Sequence, residues 1–86
     1  YSSGCILESM NYHETPPQEP FTVWVKLRYS APLSQAACQV LPGEKARLLF
    51  SAPQRSVTPG QSAVLYDATG KVLGGGLILC PDGGQA

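Results

Sequence analysis

With 86 residues and six basic against six acidic side chains, for a formal net charge of zero, the chain makes one small domain and lacks the basic balance of an autonomous nucleic-acid binder. Hydrophobic residues make up 43% and charged residues 14%, which excludes a disordered tail, and no apolar run reaches the roughly 20 residues of a membrane-spanning helix. A soluble, cytoplasmic domain is expected. The chain starts at Tyr1 without a methionine or a leader pattern, so it is expected to be a piece of something longer. Its three cysteines, Cys5, Cys38 and Cys80, are too few and too far apart for a disulfide framework or a Cys-x-x-Cys motif. They are expected to be reduced, with Cys38 and Cys80 packing as small hydrophobes. His13 is the only histidine, so no metal site is expected.

In chain order, "CILESMNY" reads as a strand entering the domain, and "HETPPQEP" as a proline-rich connector; residues 1–20 are assigned to this entering strand and connector. "FTVWVKLRY" alternates cleanly. Phe21, Val23, Val25, Leu27 and Tyr29 face a core, while Thr22, Trp24, Lys26 and Arg28 face outward. "SQAACQVL", the turn "PGE" and "KARLLFS" form a hairpin in which Ala46, Leu48 and Phe50 point one way and Lys45, Arg47 and Leu49 the other. "QSAVLYD" follows the long connection "APQRSVTPG", "ATG" closes it, and "KVLGGGLILC" is the last strand. The barrel is placed at residues 21–80, with residues 81–86 a flexible tail.

No stretch carries helical periodicity, and eight prolines with nine glycines punctuate the chain. The fold is therefore expected to be all β: a small antiparallel barrel of five or six strands, closed or partly open, because short strands with no covering helix must bury their apolar faces against one another. In "TPGQ", Pro59 and Gly60 spell a type II turn after Thr58. Gln61 then either ties that loop to its neighbours or faces a partner. Gly74, Gly75 and Gly76 lack phosphate-loop spacing and mark a bulge, a barrel corner or the close approach of another backbone. No acid pair, histidine or activated cysteine is placed for chemistry. No catalytic residue is expected, and the residues alone indicate a small all-β interaction domain.

The runs "VKLRYSAP" and "ARLLFSAPQRSVTPGQSAVLYDATGKVLGGGLI" resemble the C-terminal end of the tRNA-specific 2-thiouridylases, the MnmA-type tRNA-uridine 2-sulfurtransferases. Arg28 and Tyr29, Val57 to Gln61, Ala63, Val64, Tyr66 and Leu73 to Gly76 fall at that family's motif positions in order. The resemblance implies a translation-elongation-factor-like β-barrel that helps hold tRNA against catalytic and central domains of the same chain. It also implies a parent enzyme that uses ATP and magnesium to adenylate the wobble uridine and replaces its oxygen with persulfide sulfur, supplied in part through a sulfur-relay protein. The Ser-Gly-Gly-x-Asp-Ser signature of that chemistry is not in this sequence, and none of its cysteines matches a catalytic one, so this piece alone is expected to be inactive and to hold no cofactor. Two departures stand out: Ser30 replaces a second arginine after the Arg-Tyr pair, and Asn11-Tyr12 replaces an Asn-Trp pair.

Lys26, Arg28, Lys45, Arg47 and Arg55 are the candidates for phosphate contact, the alternative being solvated outer faces of strands. Tyr29, Thr58, Pro59, Gly60, Gln61, Tyr66 and the three glycines are the structural motif positions. Trp24, outward on its strand, is a candidate interface anchor. A purely structural packing domain and a stand-alone binding module are the competing readings.

Overall fold

The computed structural model describes residues 2–27, 32–54 and 57–82. Six strands, β1 (Ser2–Tyr12), β2 (Phe21–Lys26), β3 (Ser34–Leu41), β4 (Lys45–Gln54), β5 (Ser62–Tyr66) and β6 (Val72–Asp82), close into an antiparallel barrel in the order β1-β4-β3-β2-β5-β6. The segment ahead of the proline-rich connector is thus a full member of the barrel, and β6 carries the last strand through Asp82. Residues 83–86 of the expected tail lie outside the described residues, as do Arg28, Tyr29 and Arg55.

Alternation along each strand sends one set of side chains inward. Val23 and Val25 on β2, Cys38 on β3, Ala46 and Leu48 on β4, Leu65 on β5 and Leu7 on β1 are all fully buried. Phe21 is half-buried against them. Among the described residues, no polar or charged residue is buried. The core is therefore held by apolar burial, each fully buried leucine contributing about 2 kcal/mol.

The cysteines divide differently from the expectation: Cys5 and Cys38 are buried, whereas Cys80 is exposed. The reason is a register shift between β1 and β6. Leu7 pairs with Ile78 but Ile6 pairs with Cys80, so the bulged Leu79 breaks the alternation and Cys80 turns outward with it.

The triple glycine is a place of close backbone approach. A Cβ on Gly74 would collide with the carbonyl oxygen of Asn11, one on Gly75 would lie 2.7 Å from that of Ala63, and one on Gly76 would lie 2.7 Å from that of Glu8 and 2.6 Å from the Met10 sulfur. β6 is thus pressed between β1 and β5. Opposite Gly76, β1 carries two residues, Ser9 and Met10, between pairs made by Glu8 and Asn11. Ser9 takes a φ of 54°, and the bulge bends β1 so that the Met10 amide donates to the Glu44 carbonyl at 2.9 Å.

Thr58–Gln61 forms the expected turn. Gly60 has a φ of 86°, and the Gln61 amide donates to the Thr58 carbonyl at 3.2 Å. Two further bonds, Gly60 amide to Ile78 carbonyl at 2.7 Å and Ile78 amide to Gln61 carbonyl at 2.8 Å, fasten the turn to β6. The backbone of Gln61 does this tying, while its side-chain oxygen is buried with no partner among the described residues. At the opposite rim, Asp67 organises the β5–β6 turn. Its Oδ1 accepts from the Thr69 hydroxyl at 2.6 Å, the Thr69 amide at 2.8 Å and the Lys71 amide at 3.0 Å, and these bonds hold its carboxyl below the usual value.

One polar pair lies inside. The Tyr12 hydroxyl is buried without a partner among the described residues, and its neighbour is the Cys38 thiol, a weak donor and acceptor that leaves it unsatisfied. Burial pushes Tyr12 from 10.0 up to about 12 and Cys38 from 9.0 up to about 11. The folded chain therefore keeps protons that the unfolded chain releases. Stability present below pH 9 falls as the pH rises from about 9 through 12. Urea unfolding at about pH 8 and about pH 11 checks this. The midpoint is expected to fall at the higher pH, and to fall less in Tyr12→Phe, which also gains up to about 1 kcal/mol at neutral pH by losing an unsatisfied hydroxyl. Equal pH dependence in the two proteins would contradict the burial of that hydroxyl.

Candidate nucleic-acid interface

In a ring of six strands, β1 and β2 stand opposite each other, so the outer wall has one face centred on each. Around β2, Trp24 is flanked by Gln35 of β3 and Tyr66 of β5, and Tyr66 in turn pairs with Val72 of β6. Trp24 and Tyr66 are half-buried on the outside of the wall. Alternation puts Lys26 at the next outward position, paired with Val64. Two cross-strand aromatics with a lysine beside them form a flat, partly apolar platform of the kind on which unpaired bases stack while a cation meets phosphate.

Lys26 also lies at the rim that carries the Thr58–Gln61 turn, since its partner Val64 follows Gln61 by three residues. Arg28, Tyr29 and Arg55 of the expected set lie outside the described residues. Lys45 and Arg47 are elsewhere. Both are exposed on β4, Arg47 pairing with Ile6 and Gln39, and Lys45 with Leu41 beside the β3–β4 turn. From Ser34, the partner of Val25, to Gln39, the partner of Arg47, β3 rises roughly 16 Å, and two strand spacings of about 4.8 Å are added sideways. The structure therefore joins Lys26 to Trp24 and Tyr66 and separates it from Lys45 and Arg47.

Sequence reasoning assigned Tyr66 to the structural motif and did not place it beside Trp24, because the pair depends on which strands are neighbours. The outward leucines of β4 and β6 were likewise not singled out, although the alternation of β4 already turned Leu49 outward. Among the described residues, no group of histidine, cysteine, aspartate and glutamate is arranged to hold a metal ion.

The profile of the aminomethyltransferase beta-barrel domain family matches residues 2–78. The tRNA-specific 2-thiouridylase MnmA of Magnetococcus marinus is 44% identical over 80 residues, covering 92% of this chain and 22% of that protein. The protein of the same name from Synechococcus sp. is 45% identical over 80 residues, covering 88% and 21%. That of Acetivibrio thermocellus is 49% identical over 61 residues, covering 71% and 17%. The chain thus spans about a fifth of the length of these curated relatives.

Proposed function

Because the chain belongs to the aminomethyltransferase beta-barrel domain family, we propose that it is the C-terminal barrel of an MnmA-type tRNA 2-thiouridylase, docking tRNA and packing on the catalytic domains. The observation that carries the docking role is the platform of Trp24 and Tyr66 with Lys26 on a single outward face. Similarity to relatives named for tRNA thiolation supplies the ligand class.

In this reading the barrel contributes no catalytic group. Its residues do not fit ATP and magnesium: no metal-binding cluster is present among the described residues, and Gly74 to Gly76 abut backbone where a phosphate would need space. Adenylation and sulfur transfer at the wobble uridine, and any sulfur-relay partner, then belong to other domains of a cytoplasmic parent. Lys26, at the end of β2, and Arg28, two residues further along the sequence, are proposed to meet phosphate, each contact releasing counterions and positioning RNA without reading its sequence. Lys45 and Arg47 lie on the wall centred on β1 and are proposed to stand apart from that contact, while Arg55 remains a candidate for it.

The test is tRNA binding by the full-length enzyme across a salt series. Lys26→Ala is expected to weaken binding about three- to tenfold and to reduce the salt slope by about one, with a smaller change for Lys45→Ala. Unchanged affinity and slope for Lys26→Ala with Arg28→Ala would sink the role of β2 and leave the barrel a packing domain, with Trp24 as its anchor.

A further inference from the structure

We propose that the outward face of β4, β1 and β6 is the surface on which the barrel docks against the preceding domains of its own chain, a reading that rests on its being a C-terminal domain. Three of the four large hydrophobics exposed among the described residues lie there: Leu49 is 54% exposed, and Leu77 and Leu79 are each 38% exposed. Ile6, half-buried on the central strand, stands between β4 and β6, pairing with Arg47 on one side and Cys80 on the other. Gly4 pairs with Leu49 and Asp82 and adds no side chain, so the wall is low at that point. Beside Leu49, a hollow of about 310 Å³ bounded by Pro20, Ala37, Gln39 and Arg47 continues the surface onto β3. Exposed leucines beside a hollow whose wall mixes Pro20, Ala37 and Leu49 with Gln39 and Arg47 have the character of a protein interface, apolar with a polar rim.

The face is apolar with few charges. It carries Lys45 and Arg47 on β4 and Glu8 on β1, the latter paired with Leu77, a net of one positive charge among the described residues, so the exposed leucines rather than charge set its character. The path of the chain identifies the occupant. Ser2 pairs with Gln54 and leads into Gly4, beside Leu49. Any chain preceding it therefore leaves from the edge of this face. The relatives hold roughly four-fifths of their length outside the matched segment. A domain tethered at that edge sits at high effective concentration, so a modest apolar contact is enough to hold it. Since β1 and β2 are opposite in the ring, docking here leaves the platform of Trp24, Tyr66 and Lys26 turned away from the body of the enzyme and open to ligand.

Cys80 is a built-in reporter, being exposed in the barrel and paired with Ile6 in the middle of the face. In the full-length enzyme without RNA, iodoacetamide labelling of Cys80 is followed by peptide mass spectrometry beside a Gln35→Cys variant, each rate normalised to that in urea. Cys80 is expected to label about tenfold more slowly than position 35, and Leu49→Glu with Leu77→Glu is expected to bring it up to the position-35 rate. Equal rates at the two positions in the otherwise unchanged enzyme overturn the proposal without any variant of the face. Adding tRNA separates this inference from the docking role. If tRNA fails to slow position 35 while Cys80 stays shielded, the tRNA role fails and the domain contact stands. If Cys80 labels rapidly until tRNA is added, the face belongs to RNA and the domain contact is wrong.

Discussion

Replacing Gly74 with alanine is expected to cost the barrel about 3 kcal/mol, because the new methyl meets backbone and has nowhere to go. Its Cβ would overlap the Asn11 carbonyl oxygen and lie 3.0 Å from the Tyr12 Cα, and both atoms belong to the ladder that joins β1 to β6 through the Tyr12–Gly74 pair. Relief requires the two strands to part. A thermal melt of the chain should then show a loss of about 12 to 24 °C, at about 4 to 8 °C per kcal/mol for a domain of this size. Gly60→Ala is the informative companion. Nothing lies within 4 Å of its Cβ position, but its φ of +86° is one that side-chain-bearing residues rarely adopt, so its cost is about 1 kcal/mol of backbone strain. The two glycines thus separate a steric requirement from a conformational one. A Gly74→Ala protein melting within about 2 °C of the parent would show that β6 is not pressed against β1 as described.

The second large effect contrasts neighbours. Leu48 is fully buried and pairs with Cys5 and Cys38, whereas Leu49 is 54% exposed and pairs with Gly4 and Ala37. Leu48→Ala is expected to cost about 3 kcal/mol in a melt of the chain, from lost apolar burial and the cavity left behind. Leu49→Ala should change the same melt by no more than about 0.5 kcal/mol. In the full-length enzyme the ranking shifts, because Leu49→Ala then weakens the proposed contact with the preceding domains. Similar losses for the two leucines in the short chain would mean that the alternation of β4, and with it the division of the wall into two faces, is wrong.

Local pattern carried most of the barrel. The alternation of Val23, Val25 and Leu27, and of Ala46, Leu48 and Phe50, followed from the two-residue period of a strand, and Pro59-Gly60 announced its turn through its own dihedral preferences. Closure was less legible. That β1 pairs with both β4 and β6 depends on contacts between distant segments, and nothing in "CILESMNY" states its neighbours. The two bulges of the β1–β6 ladder were also hidden. Ser9 enters the left-handed region without being a glycine, and the shift at Leu79 turns Cys80 out of the core where simple counting kept it in.

The candidate site followed the same division. Spacing by two put Lys26 with Trp24 on one face of their strand and Lys45 with Arg47 on one face of theirs. Only the ring order reveals that these faces lie on different sides of the barrel and that Tyr66 completes the first. The resemblance to the thiouridylases gave the ligand class, whereas the geometry divides the surface between the two contacts such a domain would make.

That division is tested most directly by site-specific photo-crosslinking of the full-length enzyme to tRNA from a probe attached through Gln35→Cys or through Leu49→Cys. Gln35 flanks Trp24 on the β2 side, and Leu49 lies beside Gly4 on the β1 side. The two-faced barrel predicts RNA crosslinks from position 35, and crosslinks from position 49 only to preceding domains of the same chain. RNA crosslinks from position 49 with none from position 35 would contradict it.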